Sequence, residues 1–151
     1  MREVTFLDHA FIHECYKQWP VTATQPPVLE SNVTVWIRHW MDRDYGERCL
    51  LMETDAGPKG IITWRQNFFV AKIDNVVVHP LFQGKGFGSA MWRELQAKLE
   101  SEGVVVCEFD ALPGKVSNLV HEGRFEKVSE GIGEHTGLPI VSGRVKAGMK
   151  T

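Results

Sequence analysis

The chain has 151 residues, with 17 Lys or Arg against 19 Asp or Glu and a formal net charge of −2. That length fits a single domain over residues 1–151, and the interspersed charges of both signs offer no basic face for nucleic acid. No apolar run approaches the roughly 18 residues of a membrane span, and the opening residues, which include Arg2, Glu3, Asp8 and His9, do not read as a secretory signal.

Along the chain, Glu3 to Leu7 alternates as a short first strand, and Asp8 stands where it can cap a helix. Phe11, Ile12, Cys15, Tyr16 and Trp19 recur at helical spacing until Pro20. Val21 to Leu29, with Pro26-Pro27, reads as a loop. Ser31 or Asn32 caps a second helix with Val33, Trp36, Ile37 and Trp40 on one face. Strands follow at Arg48–Glu53, Gly60–Gln66 and Phe69–Val78, and Val76-Val77-Val78 reads as strand buried on both faces. A helix after Gly88 carries Met91, Leu95 and Leu99 on one stripe. Val104–Phe109 is a fifth strand, Lys115–Glu122 a short helix, and 125–132 and 140–147 are strand-like. The order is β-α-α-β-β-β-α-β-α-β-β, an α+β fold.

Cys15, Cys49 and Cys107 are odd in number and widely spaced, which reads as reduced thiols in a cytoplasmic protein. His9 and His13 stand four apart near Cys15, but no second ligand pair completes a zinc pattern, so no metal is expected. Trp36, Trp40, Trp64, Phe68 and Phe69 are most simply core residues.

The densest chemical signal is the stretch from Val76 to Ala90. A β-branched run ends at Pro80, glycines follow at 84, 86 and 88, and an amphipathic helix begins. Such a turn aims backbone N–H groups at one point, together with the positive end of a helix dipole, and so suits a pyrophosphate. It closes no G-x-x-x-x-G-K-[ST] pattern, and its alternating glycines do not fit G-x-G-x-x-G. Gln83-Gly84-Lys85-Gly86-Phe87-Gly88 instead fits Q/R-x-x-G-x-G/A. With Val76-x-Val78-x-Pro80-x-Phe82 ahead of it, this resembles the acetyl-CoA-binding motif of the GNAT N-acetyltransferase superfamily, most strongly over residues 71–102.

The resemblance implies a mixed, mostly antiparallel central sheet with helices on both faces. It also implies acetyl transfer from acetyl-CoA to an amine by direct attack on the thioester. The cofactor would lie on the main chain of Val76, Val77 and Val78 and on Gln83, Gly84, Lys85, Gly86, Phe87, Gly88 and Ser89. An alkyl ammonium must lose a proton before it attacks, and Asp110, Asp74, Glu108 and His79 are the candidate bases. The chain departs from the family pattern at the general acid. Aligning Arg124-Phe125 on the pattern's Gly-Phe puts Val120 at the usual tyrosine, and Tyr16 and Tyr45 lie far upstream. His121, beside Val120, is the candidate acid. Trp19, Trp36 and Trp40 and the 21–29 loop border the acceptor side in this fold. The acceptor is an amine on a small molecule or a protein, and a homodimer is left open. The rival is a non-catalytic acyl-CoA-binding or protein-interaction module on the same scaffold.

Overall fold

The computed structural model describes residues 1–18, 26–111, 126–132 and 139–146. Its elements in chain order are β1 (Arg2–Glu3), α1 (His9–Tyr16), α2 (Glu30–Asp42), β2 (Glu47–Thr54), β3 (Gly57–Asn67), β4 (Val70–Val78), α3 (Phe87–Ser101), β5 (Val106–Ala111), β6 (Glu126–Ile132) and β7 (Pro139–Lys146). The strands form one sheet in the order β1-β2-β3-β4-β5-β7-β6. Every neighbouring pair is antiparallel except β4 and β5, which α3 joins as a crossover. The expected α+β architecture, with helices on both faces, is therefore the one found. The short helix expected near Lys115–Glu122 lies outside the described residues.

Alternation along β2 and β3 builds two cores from one sheet. Leu50, Met52, Ile62 and Trp64 face α3, whose stripe of Met91, Leu95 and Leu99 is fully buried against them. Cys49, Leu51, Ile61 and Val77 face α1 and α2, where Ile12, Cys15, Tyr16, Val33 and Ile37 close the second core. His9 and His13, at metal-ligand spacing, instead tie α1 to the start of α2. Their Nε2 atoms lie 2.9 Å from the Glu30 carbonyl and 3.0 Å from the Val28 carbonyl. Among the described residues no helix is long and apolar enough to cross a membrane.

Several local expectations are corrected. The first strand ends at Glu3, because Thr5 turns the chain. Its hydroxyl accepts from the Leu7 amide while its own amide donates to Asp8 at 2.9 Å, which starts a 3₁₀ turn instead of extending the strand. Asp8 thus caps Thr5, not α1. α1 stops at Tyr16, well before Pro20. α2 begins at Glu30, and Asn32 reaches back from inside it to accept from the Leu29 amide at 2.9 Å. Phe68 and Phe69 are 84% and 65% exposed at the β3–β4 turn, so they are not core. Finally, Val76–Val78 is not buried on both faces: Val77 is buried, but Val76 is 44% exposed. The reason is the path of β5.

Candidate active site

β4 and β5 run together for only four pairs, from Val70 with Val106 to Ile73 with Phe109. β4 then continues along β3 as far as Val78, while β5 keeps pairing with β7 through Asp110 and Ala111. The sheet forks. A register shift in β4 marks the fork, since Thr63 pairs with Asn75 and Trp64 with Ile73, leaving Asp74 as the extra residue. Such a bulge bends its strand and sharpens its twist.

Among the described residues, the fork leaves one edge of β4 without a partner strand. The carbonyl of Val77 points toward β3, since a Cβ on Gly60 would meet it at 2.5 Å, and the amide of His79 donates to the Lys59 carbonyl there. Alternation sends the main-chain polar groups of Val76 and Val78 the other way, into the fork. The Val78 carbonyl there accepts from Gln18 Nε2 at 2.9 Å and Gln83 Nε2 at 3.2 Å, and Gln83 also donates to Gln18.

The glycine turn closes the same end of the fork. His79 caps the 3₁₀ turn Pro80–Phe82, with Nδ1 accepting from the Leu81 amide at 3.2 Å and its ring stacked 5.6 Å from Phe11. Gly84 and Gly86 take φ of +76° and +85°, a conformation that costs other residues strain. Gly86 is the N-cap of α3, so the amides of Phe87, Gly88 and Ser89 are the unpaired donors of its first turn. A Cβ on Gly88 would sit 3.8 Å from the side chains of both Val76 and Val78. The glycines therefore bring the helix N-terminus against the face of β4 that carries Val76 and Val78, beside its open edge. A diphosphate on the turn with an extended arm along that edge fits this cradle.

The remaining expected residues fall around the fork. Asp74 sits at the bulge, with both carboxylate oxygens held by Arg65, Nε to Oδ2 at 3.2 Å and Nη2 to Oδ1 at 3.1 Å. Glu108 stands opposite Lys72 within the paired part. Asp110 is the first β5 residue beyond the last β4 pair, opposite Ser142 on β7. His121, Val120 and Trp19 lie outside the described residues. Trp36 and Trp40 are partly buried against the α1–α2 core, and Trp64 is buried under α3.

Two residues matter here that the sequence passed over or set aside. Gln18 occupies the fork from the end of α1. Tyr16, set aside as too far upstream, does reach β4, where Asn75 Nδ2 donates to its hydroxyl at 3.3 Å. Burial holds that phenol well above its usual range, and at 2% exposure it is sealed from the fork. A glutamine after a helix carries no pattern, so only the fold could bring Gln18 to the fork. A separate cavity of about 430 Å³ includes Glu3, Trp40, Arg43, Arg48, Trp64 and Lys98, with no β4 residue. Its arginines pair with Glu3 and Glu102, and it is not part of the fork.

Residues 9–113 match the Acetyltransferase (GNAT) family. The chain belongs to that family. No protein of curated function matches the sequence significantly. Solved GNAT structures share the fold at low identity. A spermidine N-acetyltransferase SpeG chimera from Vibrio cholerae and hSSAT superposes with a TM-score of 0.76 at 17% identity, covering 97% of this chain and 93% of that one. An acetyltransferase from Thermus thermophilus gives 0.73 at 17% identity, covering 96% and 94%. The ribosomal-protein-S18-alanine N-acetyltransferase of Escherichia coli gives 0.72 at 12% identity, covering 99% and 94%.

Proposed function

We propose that this GNAT protein is a cytoplasmic N-acetyltransferase that moves an acetyl group from acetyl-CoA to an amine. The observation that carries this is the fork: a β4 edge that no described strand pairs beyond Ile73, with the N-terminus of α3 and its left-handed glycines closing one end. Three buried free cysteines support a reducing compartment. Two structural relatives are named for spermidine and for a protein alanine, both amines. The acceptor class proposed is therefore a primary amine.

Acetyl-CoA supplies an activated acyl group with a thiolate leaving group. The chain does the rest. The amides of Phe87, Gly88 and Ser89 and the turn Gln83–Gly86 hold the phosphates. The main chain of Val76 and Val78 orients the arm as a strand would. A main-chain N–H at this edge is the donor for the carbonyl oxygen as it gains negative charge. Asp110, just past the fork, is the first-choice base for the ammonium proton. Asp74 and Glu108 are the alternatives, and His79 ranks below them because its Nδ1 is committed to the cap. His121 would return a proton to the thiolate, the most dispensable step because a thiolate leaves well unaided.

The test is CoA release with a panel of amines: spermidine, a peptide with N-terminal alanine, and a simple alkylamine. Turnover of at least one above the rate of hydrolysis is expected. Tight acetyl-CoA binding without turnover of any amine would favour the non-catalytic acyl-CoA module. Absence of binding would overturn the acyl-CoA site.

A further inference from the structure

At the fork, β4 presents different side chains to the two faces of the sheet. Val76 and Val78 turn toward α3, where each lies 3.8 Å from the position of a Cβ on Gly88. Asn75 and Val77 turn the other way. Val77 belongs to the core under α1 and α2, and Asn75 Nδ2 donates to the hydroxyl of Tyr16 at 3.3 Å. Asn75 is half-buried and lies beyond the last β5 pair. It directly precedes Val76, whose main chain opens into the fork.

Tyr16 fixes this amide. Its side chain is 2% exposed, and its ring meets Trp36 of α2 edge-on at 5.0 Å between centroids. Burial holds the phenol well above its usual range, so it stays a neutral hydroxyl. With Nδ2 turned to Tyr16, Oδ1 is the remaining end of the amide, and among the described residues nothing donates to it. Thr63 stands opposite Asn75 in register on β3, which puts the two side chains on the same face. The Thr63 hydroxyl is buried and, among the described residues, also lacks a hydrogen-bond partner. Polar atoms are rarely left so in a fold. Two oxygens with capacity to spare thus stand side by side where β4 loses β5.

We infer that Asn75 binds the acceptor, its Oδ1 taking one N–H of the attacking amine, and that Tyr16 is the positioning residue that holds the amide in that orientation. This rests on the reading of the fork as an acetyl-transfer site. A primary amine that has given up its ammonium proton keeps two N–H bonds and one lone pair. Anchoring one N–H on the face of α1 and α2 leaves the lone pair free to turn toward a thioester along the β4 edge. Acceptor and cofactor then meet at one edge from opposite faces of the sheet. Because Tyr16 holds Asn75 before the amine arrives, little ordering is left for the encounter.

The experiment measures acetylation of spermidine and of a peptide with N-terminal alanine by wild type, Asn75→Ala, Tyr16→Phe and the double variant. Tyr16→Phe keeps the ring against Trp36 and removes only the hydroxyl. Asn75→Ala is expected to lower kcat/KM for the amine about five- to tenfold, the usual range for a neutral hydrogen bond, and to leave acetyl-CoA affinity within about twofold. Tyr16→Phe should lose about threefold and add nothing to Asn75→Ala, because it acts through that residue. Neither Asn75 nor a neutral Tyr16 titrates, so the loss should hold as pH rises, unlike the loss of a base. Asn75→Val, a strand former without a polar group, repeats the test if the melting temperature shows that alanine unsettles β4. Losses that add in the double variant, or that fall equally on acetyl-CoA affinity, would overturn the inference, since damaged packing predicts both. Wild-type turnover in both single variants would overturn it as well. If wild type acetylates neither amine, the acetyltransferase reading falls, and this inference with it.

Discussion

Gln18 donates to the main-chain carbonyl of Val78 at 2.9 Å, across sixty residues of sequence. That carbonyl faces the fork, where the pantetheine arm is expected to pair. The same amide also donates to the Cys15 carbonyl at 2.8 Å, so it is anchored at the end of α1. A side chain already holding the acceptor atom competes with the cofactor. A net hydrogen bond contributes roughly 0.5–1.5 kcal/mol. Gln18→Ala is therefore expected to tighten acetyl-CoA binding a few-fold by calorimetry. Weaker binding would show instead that Gln18 turns to hold the cofactor.

The two glycines of the turn separate strain from occlusion. Gly86→Ala places a side chain at φ +85° and should cost about 1–2 kcal/mol of stability. Gly88 has ordinary φ, and an added Cβ there meets Val76 and Val78 only at normal contact distance. Gly88→Leu is thus expected to fold with little change in apo melting temperature, yet to lose the stabilisation that saturating acetyl-CoA gives wild type. A thermal shift retained in Gly88→Leu would place the phosphates elsewhere.

The candidate bases differ in their commitments. Both oxygens of Asp74 are engaged by Arg65, an exposed pair that contributes at most about 1 kcal/mol to stability. Asp110 lies past the point where β5 leaves β4. Asp110→Asn is expected to lower turnover at neutral pH at least about tenfold, within the usual range of general-base catalysis, with acetyl-CoA affinity preserved. The deficit should shrink at high pH as free amine accumulates. If Asp74→Asn alone shows this profile, the roles are exchanged. If neither does, the amine arrives neutral and the protein acts by positioning.

Acid stability follows from the first turn of the chain. The Arg2 guanidinium, with the Thr5 amide behind it, holds the Asp8 carboxyl below its usual range against the opposing effect of burial. A depressed native value means the stabilisation is complete above the unfolded value of about 3.8 and is lost as pH falls through the native value. Asp8→Asn should cost about 1–2 kcal/mol at pH 7 in chemical denaturation, part of the range for a charged hydrogen bond because Arg2 is half-exposed. It should also flatten the decline below pH 4. An unaltered acid limb would remove Asp8 as its cause.

Local patterns were legible where one period or one turn decides the outcome. Met91, Leu95 and Leu99 at helical spacing gave the buried face of α3, whereas the alternation through β2 and β3 that builds two cores emerged only in the fold. The glycine turn was legible because its backbone demands leave few residues to choose from. The fork was not. Val76-Val77-Val78 reads the same whether a strand lies on both sides or on one, and the divergence of β5 depends on its pairing with β7, far along the chain. Gln18 was missed for the same reason: what makes it matter is a neighbour distant in sequence. Thr5 was missed differently, since its local capping bonds outweighed the strand pattern around it.

Among the described residues the fork also leaves an unpaired strand edge inside a sheet. Unsatisfied edges recruit strands from other molecules and so promote aggregation. Here the exposed run is only Asp74 to Val78, five residues. Ile73 and Phe109 close it at one end, and Pro80, which has no N–H to donate, follows at the other. The Gln18 and Gln83 amides occupy its last carbonyl. Five residues is the length of an ordinary short strand, so what guards this edge is its two closed ends and the amides on its last carbonyl. The same closed ends that would frame a cofactor thus also shorten the edge offered to a second copy of the protein.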